Sequence, residues 1–244
     1  MDIGSPDWEN LIIDGAKAFQ TRVDQQMARQ FSLHARELIK WNRKINLTAI
    51  TDPGEIALKH YLDSIAPARW IPASSSLLDI GSGGGFPGIP LKVLIPSLAV
   101  TLIDGSRKKI SFLKHSIRSL ELENINARQV RAEELAKDAH VASAFDVIIS
   151  RALSSLVEFV KLALPLLADR GMIIALKGEM GKKKVAELQS TVLEKIPPST
   201  GESYSYTLTL ENYHLPVIQS KRSMLIIRKT RSACGGKIKL KIEN

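Results

Sequence analysis

The chain of 244 residues has a single cysteine, Cys234, close to its C-terminal end. One thiol builds neither a disulfide framework nor a multi-cysteine metal site, so no metal is expected, and the usage fits a reducing cytoplasm. No apolar run approaches the roughly 18 residues of a membrane span. The opening MDIGSPDWEN is acidic, where a secretory leader starts with a basic segment. Neither membrane insertion nor secretion is expected. There is no internal repeat and no low-complexity tract apart from the basic last dozen residues.

Charge is what the sequence does have. Thirty-four Lys and Arg against twenty-five Asp and Glu leave +9, with a pI near 9.6, a balance suited to meeting phosphates. Much of it falls in SRKKISFLKHSIR (106–118), ALKGEMGKKK (175–184), SKRSMLIIRKTR (220–231) and the terminal GKIKLKIEN. Several of these runs follow apolar segments that read as strands, where an open α/β sheet puts its ligands. With 44% apolar residues, the length suits one main core and a small appendage.

The appendage comes first. From about Pro6 to Lys44 apolar residues recur at helical spacing, among them Phe31, Leu38, Ile39 and Trp41, which predicts two or three amphipathic helices. Asp52-Pro53-Gly54 reads as a turn, Glu55–Ile65 as a further helix, and 67–76 as a Pro- and Ser-rich loop. After that the pattern alternates. Strands are expected at Ser76–Ile80, Ala99–Asp104, Ile125–Val130, Phe145–Ser150 and Gly171–Lys177. Helices are expected at Pro87–Leu94, Arg107–Leu120 and Leu156–Leu167. Continuously apolar strands in repeated βα units predict a parallel sheet covered on both faces. SYSYTLTL (203–210) and RSMLIIRK (222–229) add two strands, expected to pair antiparallel at one edge. The expected division is a helical extension 1–66, a main domain 67–231 and a disordered basic tail 232–244.

Between the first strand and first helix of that pattern stands LLDIGSGGGFPGIP, Leu77 to Pro90. Linkers do not sit inside a βαβ unit, and a bare turn accounts for one or two glycines rather than four. Glycine here lets backbone N–H groups approach a nucleotide-like ligand. A dinucleotide fingerprint needs a third glycine where this chain has Phe86. The spacing Gly81, Gly83, Gly85, preceded by Asp79, instead resembles motif I of class I S-adenosylmethionine-dependent methyltransferases. That resemblance implies a Rossmann-like α/β fold, a seven-stranded mostly parallel sheet with an antiparallel edge strand. It also gives Asp79 a cationic cofactor to face. Asp104, at the end of the second strand, stands where an acid accepts from two ribose hydroxyls.

In this class the segment after the third strand cradles adenine. RAEEL (131–135) offers the small face of Ala132 and the acceptor Glu133 there, or reads as a plain helix start with favourable acids. In ISRA (149–152), Arg151 follows four apolar residues after the fourth strand, where target-facing groups stand, and an arginine is poor core material unless paired.

LLDIGSGGGFPGIPL, KWNRKINLTAI, LKHYLDSI, ISRALSSL and ALKG together resemble the bacterial glucose-inhibited division protein B family, over about Phe31 to Lys229. The resemblance implies methylation of guanine N7 in 16S ribosomal RNA, with S-adenosylmethionine at Gly81, Phe86, Ala132, Glu133 and Arg151. Where some members read TGPGLPG this chain reads SGGGFPG, a change that removes no backbone donor. Guanine N7 carries a lone pair and no proton, which agrees with the lack of an acid/base dyad, so Arg151 is expected to position rather than to titrate. Arg107, Lys108, Lys109 and Lys114, with Lys177, Lys182, Lys183 and Lys184, are candidate contacts to the RNA backbone of the small subunit. Trp41–Thr48 and His60 are candidates to position substrate or to pack domains. A monomer is expected. Two other readings stay open: an NAD-linked oxidoreductase on the same sheet, and an RNA-binding module without catalysis.

Overall fold

The computed structural model describes residues 1–138, 141–151, 155–180, 204–231 and 242–243. They divide into two compact units, Met1–Arg131 with Leu215–Ser220, and Ala132–His214 with Lys221–Asn244.

The first unit begins with helix α1 (Pro6–Ala16), started by the Ser5 hydroxyl accepting from the Trp8 N–H and by Pro6 in the first turn. After a short 3-10 turn comes α2 (Gln25–Ile45), where the Asp24 carboxylate caps the Met27 N–H. The expected turn at Asp52-Pro53-Gly54 is instead the start of a helical run. Asp52 accepts from the Glu55 N–H, which makes Pro53 a first-turn proline. That run passes through α3 (Pro53–Glu55), a π-helical stretch Ile56–Leu62 and α4 (Asp63–Ile65). Trp8, fully buried, joins the two segments: its indole N–H donates to the Pro53 carbonyl at 2.8 Å and its ring meets Tyr61 edge-on.

Strands β1 (Ser76–Ile80), β2 (Ala99–Asp104) and β3 (Ile125–Gln129) then form in the order β3-β2-β1, all parallel. Helices α5 (Gly88–Leu94) and α6 (Arg107–Ser119) connect them. Leu77 and Leu78 of β1, Leu102 of β2 and Phe112 of α6 have no exposed surface, as strands covered by helices require.

In the second unit, α7 (Ala132–Leu135) precedes β4 (Phe145–Arg151), which runs parallel to β5 (Leu167–Gly178). Between them, α8 (Leu156–Ala163) is capped by the Ser155 hydroxyl. β7 (Ser220–Arg231) pairs antiparallel with β5, as the tail pattern predicts, and β6 (Tyr204–Leu215) lies next to it. β5, β6 and β7 all run longer than their apolar centres. Polar ends such as Asp169, which pairs with Lys229 and Arg231, extend them. The seven expected strands are all present. An eighth, β8 (Ile242–Glu243), pairs parallel with Leu208 and Thr209 of β6. No described helix is long and apolar enough to cross a membrane.

Candidate active site

Behind β1 the chain turns through Gly81–Pro87 into α5. Gly81, Gly83 and Gly85 adopt φ of +75°, +54° and +88°, the left-handed region that strains any other residue. Their surroundings differ. A Cβ on Gly81 would meet nothing within 4 Å, and one on Gly83 only the Gly81 carbonyl oxygen at 3.8 Å. A Cβ on Gly84 would come 2.9 Å from Leu38 Cδ1, and on Gly85 2.5 Å from Ile89 Cδ1. The first two glycines leave space for a ligand, whereas the next two let the protein close on itself.

The loop does not use its N–H groups as the glycines alone suggest. Those of Gly81 and Ser82 donate to the Ile103 carbonyl at 2.9 and 3.0 Å. Gly83 donates to Asp104 Oδ2 at 3.2 Å, and Gly85 and Phe86 both donate to the Ser82 carbonyl at 2.7 and 3.1 Å. The N–H groups of Gly81, Ser82, Gly83, Gly85 and Phe86 thus hold the loop itself rather than being left for a ligand.

Asp79, on β1 and fully buried, accepts from the Gly88 N–H at 2.9 Å through Oδ2. Gly88 has to be glycine, since a Cβ would lie 2.8 Å from that oxygen and 2.4 Å from Leu102 Cδ2. The carboxylate thus sits on the first N–H of α5, inside the protein. Asp104 links two loops: Oδ2 takes the Gly83 N–H, Oδ1 the Ser106 N–H at 2.8 Å, and Lys109 Nζ stands 3.8 Å away. Its carboxylate retains lone pairs for hydroxyl donors. An open glycine floor edged by an acid fits the ribose of a nucleoside cofactor such as S-adenosylmethionine.

Phe86 turns its ring into the protein, 5% exposed, stacked on His60 with centroids 4.5 Å apart and 18° between planes. His34 lies 5.2 Å away and Tyr61 5.4 Å. His34 is a residue that helical patterning passes over: it shares the apolar stripe of Phe31, Ala35 and Leu38 on α2, and that position was the available signal. Its Nδ1 pairs with the Tyr61 hydroxyl at 2.9 Å. Burial lowers its pKa to about 3, against the opposing backbone of Gly84, so the ring is neutral.

The structure therefore gathers Asp79, Gly81, Gly83, Gly85, Phe86 and Asp104 in the first unit. Ala132, Glu133 and Arg151 belong to the second. Ala132 is buried at the start of α7 with Glu133 exposed beside it, and Arg151 is half-buried at the end of β4, opposite Leu176 of β5. Of the basic candidates, Arg107 and Lys108 are exposed at the start of α6. Lys109 is half-buried against Asp104, and Lys177 half-buried near the end of β5. Lys182 to Lys184 lie outside the described residues.

Residues 27–200 match the family model described as rRNA small subunit methyltransferase G, GidB. The chain belongs to the rRNA small subunit methyltransferase G family. The relative of that name from Geobacter sp. strain M21 is 42% identical over 214 residues, 84% of this chain and 98% of that protein. The relative from Oceanobacillus iheyensis is 35% identical over 86% of this chain and 85% of its own length. Solved structures share the Rossmann-like fold at low identity. One is a putative S-adenosyl-L-methionine-dependent methyltransferase from Methanococcus maripaludis, with TM-score 0.54, 16% identity, and 82% and 94% of the two chains covered. Another is M. jannaschii TYW2 in complex with AdoMet, with TM-score 0.53, 17% identity, and 70% and 76% covered. Membership in the rRNA small subunit methyltransferase G family makes the enzyme class methyltransferase and bears out the family resemblance of the sequence.

Proposed function

We propose that this family member moves the methyl group of S-adenosylmethionine to N7 of a guanine in 16S ribosomal RNA, acting as a cytoplasmic monomer on the RNA or the small subunit. The cofactor supplies an electrophilic methyl on a sulfonium sulfur. Guanine N7 already presents a lone pair, so no group of the chain has to remove a proton.

What the residues do is hold and align. Gly81 and Gly83 give the cofactor room, and Asp104 accepts from the ribose hydroxyls. Ala132 and Glu133 take the adenine face and amine, while Arg151 steadies guanine O6 or a phosphate. Arg107, Lys108, Lys109, Lys177 and Lys182 receive the RNA backbone.

The observation that carries the choice of cofactor is the open floor of Gly81 and Gly83 edged by Asp104 in a chain of a methyltransferase family. Titrating the protein with S-adenosylmethionine and with NAD by calorimetry tests it. Saturable binding of the first alone is expected, and binding of NAD alone would reverse the assignment. Methyl incorporation into small-subunit RNA separates an enzyme from a binding module.

A further inference from the structure

In the loop GSGGGFP, Phe86 is the one large side chain by which the protein grips a run of glycines from behind. Three rings enclose it, His34 from α2 and His60 and Tyr61 from the helical run that follows. His60 makes the closest contact, face to face at 4.5 Å, and is 6% exposed. It belongs to the π-helical stretch Ile56–Leu62, a departure from α-helix often found at functional sites.

The edge of the same imidazole is tied elsewhere. Its Nε2 lies 2.8 Å from Thr48 Oγ1. Thr48 is itself fixed: its N–H donates to Asn42 Oδ1 at 2.9 Å, its carbonyl accepts from Asn42 Nδ2 at 2.9 Å, and its Oγ1 accepts from the Ile50 N–H at 3.0 Å. Leu47 N–H adds a second bond to Asn42 Oδ1, at 2.6 Å. A ring stacked on the loop's only large side chain and pinned at its edge to a locked turn has its rotation set from outside the loop. A phenylalanine at position 60 would fill the same space without that pin.

We infer that His60 is a positioning residue for the cofactor loop: stacked on Phe86 and oriented by Thr48 Oγ1, it sets where Gly81 and Gly83 stand. The inference rests on the proposed use of S-adenosylmethionine. The Phe86 N–H donates to the carbonyl of Ser82, between Gly81 and Gly83, at 3.1 Å, so a displaced Phe86 pulls on the glycine floor.

Calorimetric affinity for S-adenosylmethionine, measured below each variant's melting temperature, is the test. His60→Ala raises Kd about tenfold, Thr48→Val about threefold, and His60→Phe, which keeps the stack, falls between wild type and His60→Ala. KM for RNA stays within twofold in all three. Cofactor Kd unchanged in His60→Ala, or an equal loss in cofactor and RNA affinity, overturns the inference and makes His60 plain core. If His60→Ala does not fold, Thr48→Val decides: a threefold weaker Kd supports the positioning role and an unchanged one overturns it. Wild-type protein that does not bind S-adenosylmethionine fails a step earlier, overturning the proposed function and this inference with it.

Discussion

The loop after β1 and the last residue of β4 stand at equivalent places in the βα pattern and differ in what they present. After β1, Asp79, Ile103 and Asp104 take the N–H groups of Gly88, Gly81, Ser82 and Gly83, and an aromatic stack holds Phe86. After β4 there is no glycine; a single half-buried arginine ends the strand. The first is a loop held by the protein's own acceptors, the preorganisation that the proposed alignment of a methyl donor needs. The second offers a charge. Binding and transfer should therefore separate under mutation.

Arg151→Ala should give the largest effect, a fall in methyl transfer of about 100-fold or more with a melting temperature near wild type. Activity within a few fold of wild type would remove Arg151 from the site. Asp104→Asn loses charge at the loop link and at the proposed ribose position. Calorimetry should show S-adenosylmethionine affinity weakened about 30-fold, about 2 kcal/mol. Gly88→Ala pushes a methyl against Asp79 and Leu102 and should cost about 1–3 kcal/mol in urea unfolding. Stability unchanged there would mean the floor is softer than its contacts indicate.

The support behind the floor gives a pH effect. His34 has its pKa lowered to about 3 in the folded protein against 6.5 for a free side chain. Between those values the unfolded chain holds a proton that the folded chain does not, so stability falls as pH drops through that window. At pH 5 the loss from this group is about 2 kcal/mol. His34→Phe should lose correspondingly less stability than wild type between pH 7 and pH 5 in matched urea titrations. The smallest effect is expected from Arg107→Gln with Lys108→Gln. Removing two exposed cations should lower the slope of log affinity for RNA against log salt by about 2 and leave cofactor affinity alone.

All seven expected strands lie where patterning puts them, most as apolar runs bounded by turn residues, β3 (INARQ) by its place in the βα order and β6 by alternation. Their ends were not legible, since β5, β6 and β7 continue through polar residues that pair across strands. The glycine loop announced itself, but the use of its donors did not. Glycine spacing carries no information on whether an N–H is already taken by Ile103 or Asp104. Nor does the stripe on α2 disclose that its histidine reaches Phe86, because that contact joins residues far apart in the chain. The second unit's candidates, Ala132, Glu133 and Arg151, were read from position after a strand and from family resemblance, which place a residue without describing its neighbours.

The central claim is that a fixed cationic-cofactor floor serves methyl transfer to a guanine ring nitrogen. It is tested most directly by incubating the protein with methyl-labelled S-adenosylmethionine and small subunits from cells lacking this enzyme, then locating the label in 16S RNA. The account predicts about one methyl per particle, on a single guanine at N7, recognised by borohydride reduction and aniline cleavage at that nucleotide. Label on an exocyclic nitrogen, on ribose, or on no RNA at all would contradict it.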